Sequence, residues 1–156
     1  PVLANTNGRR AAAAHPRAED GAWNLAFVCW LVATASTLAA LFFSEVMSLP
    51  PCVLCWYQRI FIFPLVLLLP VGLFPFDPKI VRYALPLALV GWSIALFHVL
   101  ITVGLIPEGI TPCTQGVPCA RNQIEWFGFL SIPLLSLAAF SAISALLLLT
   151  HYKVAK

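Results

Sequence analysis

The chain has 156 residues, of which 61% are hydrophobic and only 10% charged, with a mean hydropathy of +0.92. A soluble domain carries about 25% charged residues, so this composition excludes a water-facing globule and indicates one membrane domain. The net charge of +3 comes without a long basic run or basic-aromatic interleaving, which speaks against nucleic acid as a partner.

Residues 1–21 are polar, rich in Ala and Arg and without periodicity, and are expected to form a disordered tail. They do not read as a cleaved signal peptide, because the apolar stretch behind them is full length and no small-residue cleavage site ends it. Residues 22–150 are expected to form the membrane domain. Its first span, about 23–43 (WNLAFVCWLVATASTLAALFF), holds 21 uncharged residues. At 1.5 Å per residue they cover about 31 Å, close to the hydrocarbon thickness. The second span, about 57–76, contains Pro64, Pro70 and Pro75, and a kink is expected at the interior prolines. The third, about 80–106, carries Arg82 near its start and His98 inside; the fourth, about 126–150, is uncharged. Residues 151–156 form a short tail. Without water in the lipid core each span must satisfy its own backbone, so the expected fold is all-α, a four-transmembrane-helix bundle.

The Lys/Arg distribution orients this bundle. Arg9, Arg10, Arg17, Lys79, Arg82, Lys153 and Lys156 fall on one side, and Arg59 and Arg121 on the other. This bias places both termini in the cytoplasm and exposes two outer loops, about 44–56 and 107–125.

Four of the five cysteines lie in the outer loops: Cys52 and Cys55 in PPCVLCWYQR, Cys113 and Cys119 in CTQGVPC. The outer face of a bacterial membrane and the ER lumen are both spaces in which disulfides persist. A CxxC pair lets two sulfurs meet across one turn, and the first thiol in such motifs is often acidified, which suits exchange. Static disulfide staples and a thiolate metal site are the competing readings. The CxxxxxC spacing of the second pair does not resemble a zinc knuckle. Cys29, within FVCWLV, reads as a small hydrophobe.

Two ionisable residues stand where lipid is expected. Arg59 follows Cys55 by one helical turn, where it either snorkels to the headgroups or steadies the Cys55 thiolate and a polar ligand. His98 lies about 13 Å inward from Pro107 along the third helix, and an ionisable residue at that depth is a functional candidate. A ligand with a polar ring near Cys55, Arg59 and His98 and an apolar tail fits a quinone, with Gln58 and Tyr57 as lesser candidates for the same pocket. Trp56 and Trp126 suit an aromatic belt, and Glu45, Glu108 and Glu125 read as solvated loop charges.

PCVLCWYQR at the start of a membrane helix, a histidine late in helix three and CTQGVPC followed by IEWFGFLSIP resemble the disulfide-bond-formation protein B (DsbB) family, and most closely its short, BdbC-type members. The resemblance spans roughly residues 22–149. It implies a bacterial inner-membrane thiol:quinone oxidoreductase that reoxidises an extracytoplasmic thioredoxin-fold dithiol oxidase of DsbA or BdbD type. It further implies that Cys52 and Cys55 are the quinone-proximal pair, with Cys55 as the thiolate at the quinone. Cys113 and Cys119 become the partner-facing pair, and Arg59 and His98 border the quinone, ubiquinone or menaquinone. Only TQGVP separates the second pair, less than in the best-known Gram-negative members, so which of the two sulfurs is attacked stays open. A vitamin K epoxide reductase-like enzyme is the rival within redox chemistry, although there the CxxC usually follows the loop pair. A membrane scaffold or metal-binding protein with stapled loops is the rival outside it.

Overall fold

The structure is a computed structural model that describes residues 6–107, 119, 125–126 and 130–155. Its order is α1 (Thr6–Leu41), a π-helical turn (Phe42–Val46), α2 (Val53–Leu73), α3 (Ile80–Thr102), a two-residue β-hairpin (β1 Glu125–Trp126, β2 Leu130–Ser131) and α4 (Ile132–Ala155). Among the described residues the protein is all-α apart from this hairpin, and four helices there are long and apolar enough to cross a membrane. They pack as a bundle in which α4 lies against both α1 and α3, and α2 against both α1 and α3.

The helix limits have local causes. α1 starts at Thr6, so its backbone stays helical through residues 6–21, a stretch read from sequence as tail; RRAAAAH is rich in the strongest helix former. α2 starts at Val53, ahead of the expected 57, because Cys52 serves as its N-cap: its sulfur accepts the Cys55 N–H at 3.4 Å. The helix ends at Leu73 because Phe74, which precedes Pro75, is extended (φ −135°, ψ 96°) as a residue before proline prefers. α3 stops at Thr102, short of the expected 106, before Gly104 turns the chain with φ 81°.

The core runs along Leu65 and Leu69 of α2, Val81, Ala84, Ala88 and Ala95 of α3, and Phe140, Ile143 and Leu147 of α4. Close approach is made possible at Gly91, where any Cβ would collide with the Phe140 ring. The cost of one interior proline is met across helices. Pro70 has no N–H to give the carbonyl of Val66, and the Trp30 indole of α1 donates to that carbonyl instead, at 3.2 Å. The Trp23 indole likewise donates to Leu73 O, at 3.3 Å, near the end of α2. Gly21 lies against the Lys153 side chain. The start of the α1 span, the end of α2 and the end of α4 therefore share one end of the bundle. The start of α2, with its cysteines, occupies the other.

Candidate active site

At that other end, Cys52 is the centre of a buried polar cluster. Its sulfur lies 2.9 Å from Cys55 Sγ and 3.8 Å from His98 Nε2. The sulfur of Cys119 completes the group: Cys52 Sγ, a ring nitrogen of His98 and Cys119 Sγ all lie within 4.8 Å of one another. Cys52 and Cys55 are free thiols, whereas Cys119 is disulfide-bonded. Cys113 lies outside the described residues.

The dithiol is electrostatically asymmetric. The hydrogen bond from the Cys55 thiol, followed by that from His98, pulls the Cys52 thiol well below the ordinary range, against the opposing effect of burial. Its place at the N-terminus of α2 acts in the same direction. The negative charge of the reduced pair therefore rests on Cys52, the first thiol of the motif.

Cys55 faces elsewhere. It borders a cavity of about 370 Å³ between α1, α2 and α4, within the ~300–1,000 Å³ range of small-molecule sites. Small and apolar residues such as Ala35, Ala39, Ile62 and Phe140 form its walls, and Gln58, Arg59 and Ser136 supply polar groups. Arg59 Nη2 donates to Ala40 O at 2.7 Å, and the guanidinium carbon stands 5.3 Å from the centre of the Trp56 ring. Ala40 O is also reached by Ser44 Oγ at 3.3 Å, just ahead of the π-helical turn.

The expected site residues thus divide into two groups. Cys55, Gln58 and Arg59 line the cavity, while Cys52, His98 and Cys119 form the cluster next to it. His98, only 2% exposed, turns to Cys52 and is not among the cavity-lining residues. Gln58 joins the groups: its amide nitrogen meets His98 Nδ1 at 3.3 Å, and its Oε1 accepts from Ser136 Oγ at 2.7 Å. Ser136 escaped the sequence reading, since a serine inside IPLLSLAAF is common in membrane helices and signals nothing alone. Cys52, His98 and Cys119 are close enough to ligate one ion, but the Cys119 sulfur is engaged in its disulfide, which leaves one thiol and one imidazole.

The family model for disulfide bond formation protein DsbB matches residues 22–150. The chain belongs to the DsbB family. A probable disulfide formation protein of Metapseudomonas resinovorans is 45% identical over 136 residues, covering 86% of this chain and 94% of that protein. Disulfide bond formation protein C of Bacillus subtilis (strain 168) is 45% identical over 114 residues, 73% of this chain and 83% of its own. Probable disulfide formation protein C 2 of Bacillus anthracis is 42% identical over 127 residues, with 81% and 89% covered. Similarity to these proteins, together with the four spans and the paired cysteines, makes this DsbB-family chain a disulfide oxidoreductase of the membrane. Family membership outweighs the vitamin K epoxide reductase-like and scaffold readings.

Proposed function

We propose that the protein is a dithiol:quinone oxidoreductase that reoxidises an extracytoplasmic thioredoxin-fold dithiol oxidase of DsbA or BdbD type. The carrying observation is that Cys52 stands between two partners, the Cys119 sulfur within 4.8 Å and the Cys55 sulfur at 2.9 Å, while Cys55 alone of these borders the cavity. That order supports a relay from the second outer loop through Cys52 to Cys55.

In the proposed cycle both cysteine pairs begin as disulfides. A thiolate of the partner attacks Cys113, forming a mixed disulfide and releasing the Cys119 thiolate. Cys119 attacks Cys52, which joins the two loops and releases the Cys55 thiolate beside the cavity. The partner's second thiolate displaces Cys113, and the partner leaves with a disulfide. Cys113 then re-forms its bond to Cys119 and frees Cys52 as a thiolate. The arrangement in the structure, with Cys52 and Cys55 free and Cys119 bonded, corresponds to this stage. Closing Cys52–Cys55 releases two electrons and two protons, matching those taken from the partner.

The cavity fits a quinone: the walls suit an isoprenoid-bearing ring, and Gln58 and Arg59 offer donors to ring oxygens. When bound, a quinone supplies a two-electron, two-proton acceptor. Arg59 and Gln58 would hold it, ubiquinone or menaquinone, with Cys55 alongside; His98 would act from the far side of Gln58. The partner's potential, near about −120 mV for a strongly oxidising thioredoxin-fold protein, requires an acceptor at or above that value. The Lys/Arg bias supports cytoplasmic termini and outward cysteine loops in a bacterial inner membrane.

The test is quinone reduction in detergent, fed by a reduced DsbA-type protein, for wild type and Cys55→Ser. Turnover that disappears in the mutant is expected. A wild-type protein inert toward every quinone while still exchanging with the partner would overturn the acceptor assignment.

A further inference from the structure

The geometry around His98 carries a role that the relay itself does not specify. The ring's Nε2 lies 3.2 Å from the backbone carbonyl oxygen of Cys119. A carbonyl only accepts, so Nε2 must bear the hydrogen. In the neutral ring Nδ1 is then a bare lone pair, and the group 3.3 Å away must donate to it. That group is the Gln58 amide, whose NH₂ must therefore face His98. Its oxygen consequently faces α4, where the Ser136 hydroxyl donates to it at 2.7 Å. The requirement set by one loop carbonyl thus propagates without conflict through α3 and α2 to α4. Gln58 and His98 are both buried, where an unmatched polar atom is costly.

We propose that Ser136, Gln58 and His98 form one positioning chain that aims the Nε2–H of His98 at the gap between Cys52 and Cys119, where disulfide exchange between the two outer loops takes place. The inference rests on the relay described above. During exchange, negative charge is carried by the attacking and leaving sulfurs: Cys119 is the attacking sulfur when the two loops join, and Cys52 is the leaving sulfur when they separate. A fixed N–H beside these two stabilises the charge of each in turn without reorganisation. The same N–H holds the Cys119 carbonyl, and so fixes the loop sulfur near Cys52. A reversed chain would point a bare Nε2 at a carbonyl oxygen and at a thiolate, repelling both. His98, Gln58 and Ser136 are positioning residues here; the reacting atoms are the sulfurs. Gln58 and Ser136 also line the cavity, so the chain connects the wall of the acceptor site to the exchange site.

The experiment reads the tautomer directly. The full chain, ¹⁵N-labelled at histidine and placed in lipid nanodiscs with Cys52 and Cys55 reduced, is examined by nitrogen NMR, with the His98 signals assigned by their loss in His98→Gln. The expected spectrum has a pyridine-type Nδ1 and a pyrrole-type Nε2. Gln58→Leu and Ser136→Ala are expected to give mixed tautomers, and Ser136→Thr, which keeps the hydroxyl, to restore the single form. In a Cys55→Ala background, Gln58→Leu is also expected to slow alkylation of Cys52 at mildly acidic pH by about tenfold, the order of one lost hydrogen bond. Ser136→Ala, which leaves Gln58 in place, serves as the second probe if Gln58→Leu folds poorly. A wild-type His98 protonated at Nδ1, or a tautomer and an alkylation rate unchanged in both variants, would overturn the proposal. Neither readout uses a quinone, so failure of the acceptor assignment is separable from failure of this one.

Discussion

Arg59 reaches across from α2 to bond the backbone of α1, its Nη2 donating to Ala40 O at 2.7 Å. One arm of the guanidinium is thus anchored while the residue still faces the cavity. The anchor depends on a planar fork that lysine lacks. Arg59→Lys keeps the charge and loses the geometry. The expected outcome in the quinone-reduction assay is a KM for quinone raised about tenfold, on the scale of one charge-assisted hydrogen bond. Exchange between Cys52 and Cys119 should remain at the wild-type rate. Slowed exchange with an unchanged KM would place Arg59 in the thiol cluster instead.

The relay order makes a trapping prediction. In Cys55→Ser/Cys113→Ser, Cys52 and Cys119 are the two thiols left in the outer loops, and no neighbouring thiol can displace the bond once it forms. After treatment with the oxidised partner, non-reducing peptide mapping should recover a Cys52–Cys119 disulfide as the main species. A Cys55→Ser/Cys119→Ser chain that forms Cys52–Cys113 faster would reverse the order of the second pair.

Acidification of Cys52 has a definite sign. A thiol whose value is lowered is anionic above that value, so reactivity is present at neutral pH and is lost only as pH falls through the lowered value. Its largest cause is the Cys55 thiol. Cys55→Ala should therefore move the midpoint of Cys52 alkylation upward, toward the ordinary thiol range. A pH profile of iodoacetamide modification checks this, and an unmoved midpoint would assign the acidity to the helix end and His98 alone.

Packing at Gly91 is a stability test independent of redox chemistry. Gly91→Ala drives a methyl into the Phe140 ring, and the expected cost is about 1–3 kcal/mol. Thermal unfolding in detergent measures it, and Phe140→Leu in the same chain should recover part of the loss because the two sites share one contact.

The four spans were legible because membrane insertion demands length without charge, and length without charge is visible residue by residue. The start of α2 was less so: cysteine is not among the usual N-caps, so PPC read as loop and Val53 as its continuation. The depth of His98 drew attention to it, yet the face it turns could not be read, since α3 is apolar all round and offers no stripe by which to orient it. Gln58 was noticed for its neighbours, and Ser136 was missed. Both acquire meaning only from the hydrogen bonds they make across 78 positions of sequence. Hydropathy locates helices, but partners across a bundle depend on rotation, which leaves no trace in a uniformly apolar segment.

The cysteine that begins α2 is also a reacting atom, and this ties folding at one helix end to the catalytic cycle. As a free thiolate, Cys52 offers the Cys55 amide an electron-rich acceptor. Once one of its electron pairs becomes an S–S bond and the charge is lost, that acceptor weakens. The first turn of α2 is thus held more firmly in the reduced protein than in the oxidised one. Amide hydrogen exchange at Cys55, compared with Cys52 free and with Cys52 bonded, would show this as a change in fraying, so the helix end itself reports the state of its first cysteine.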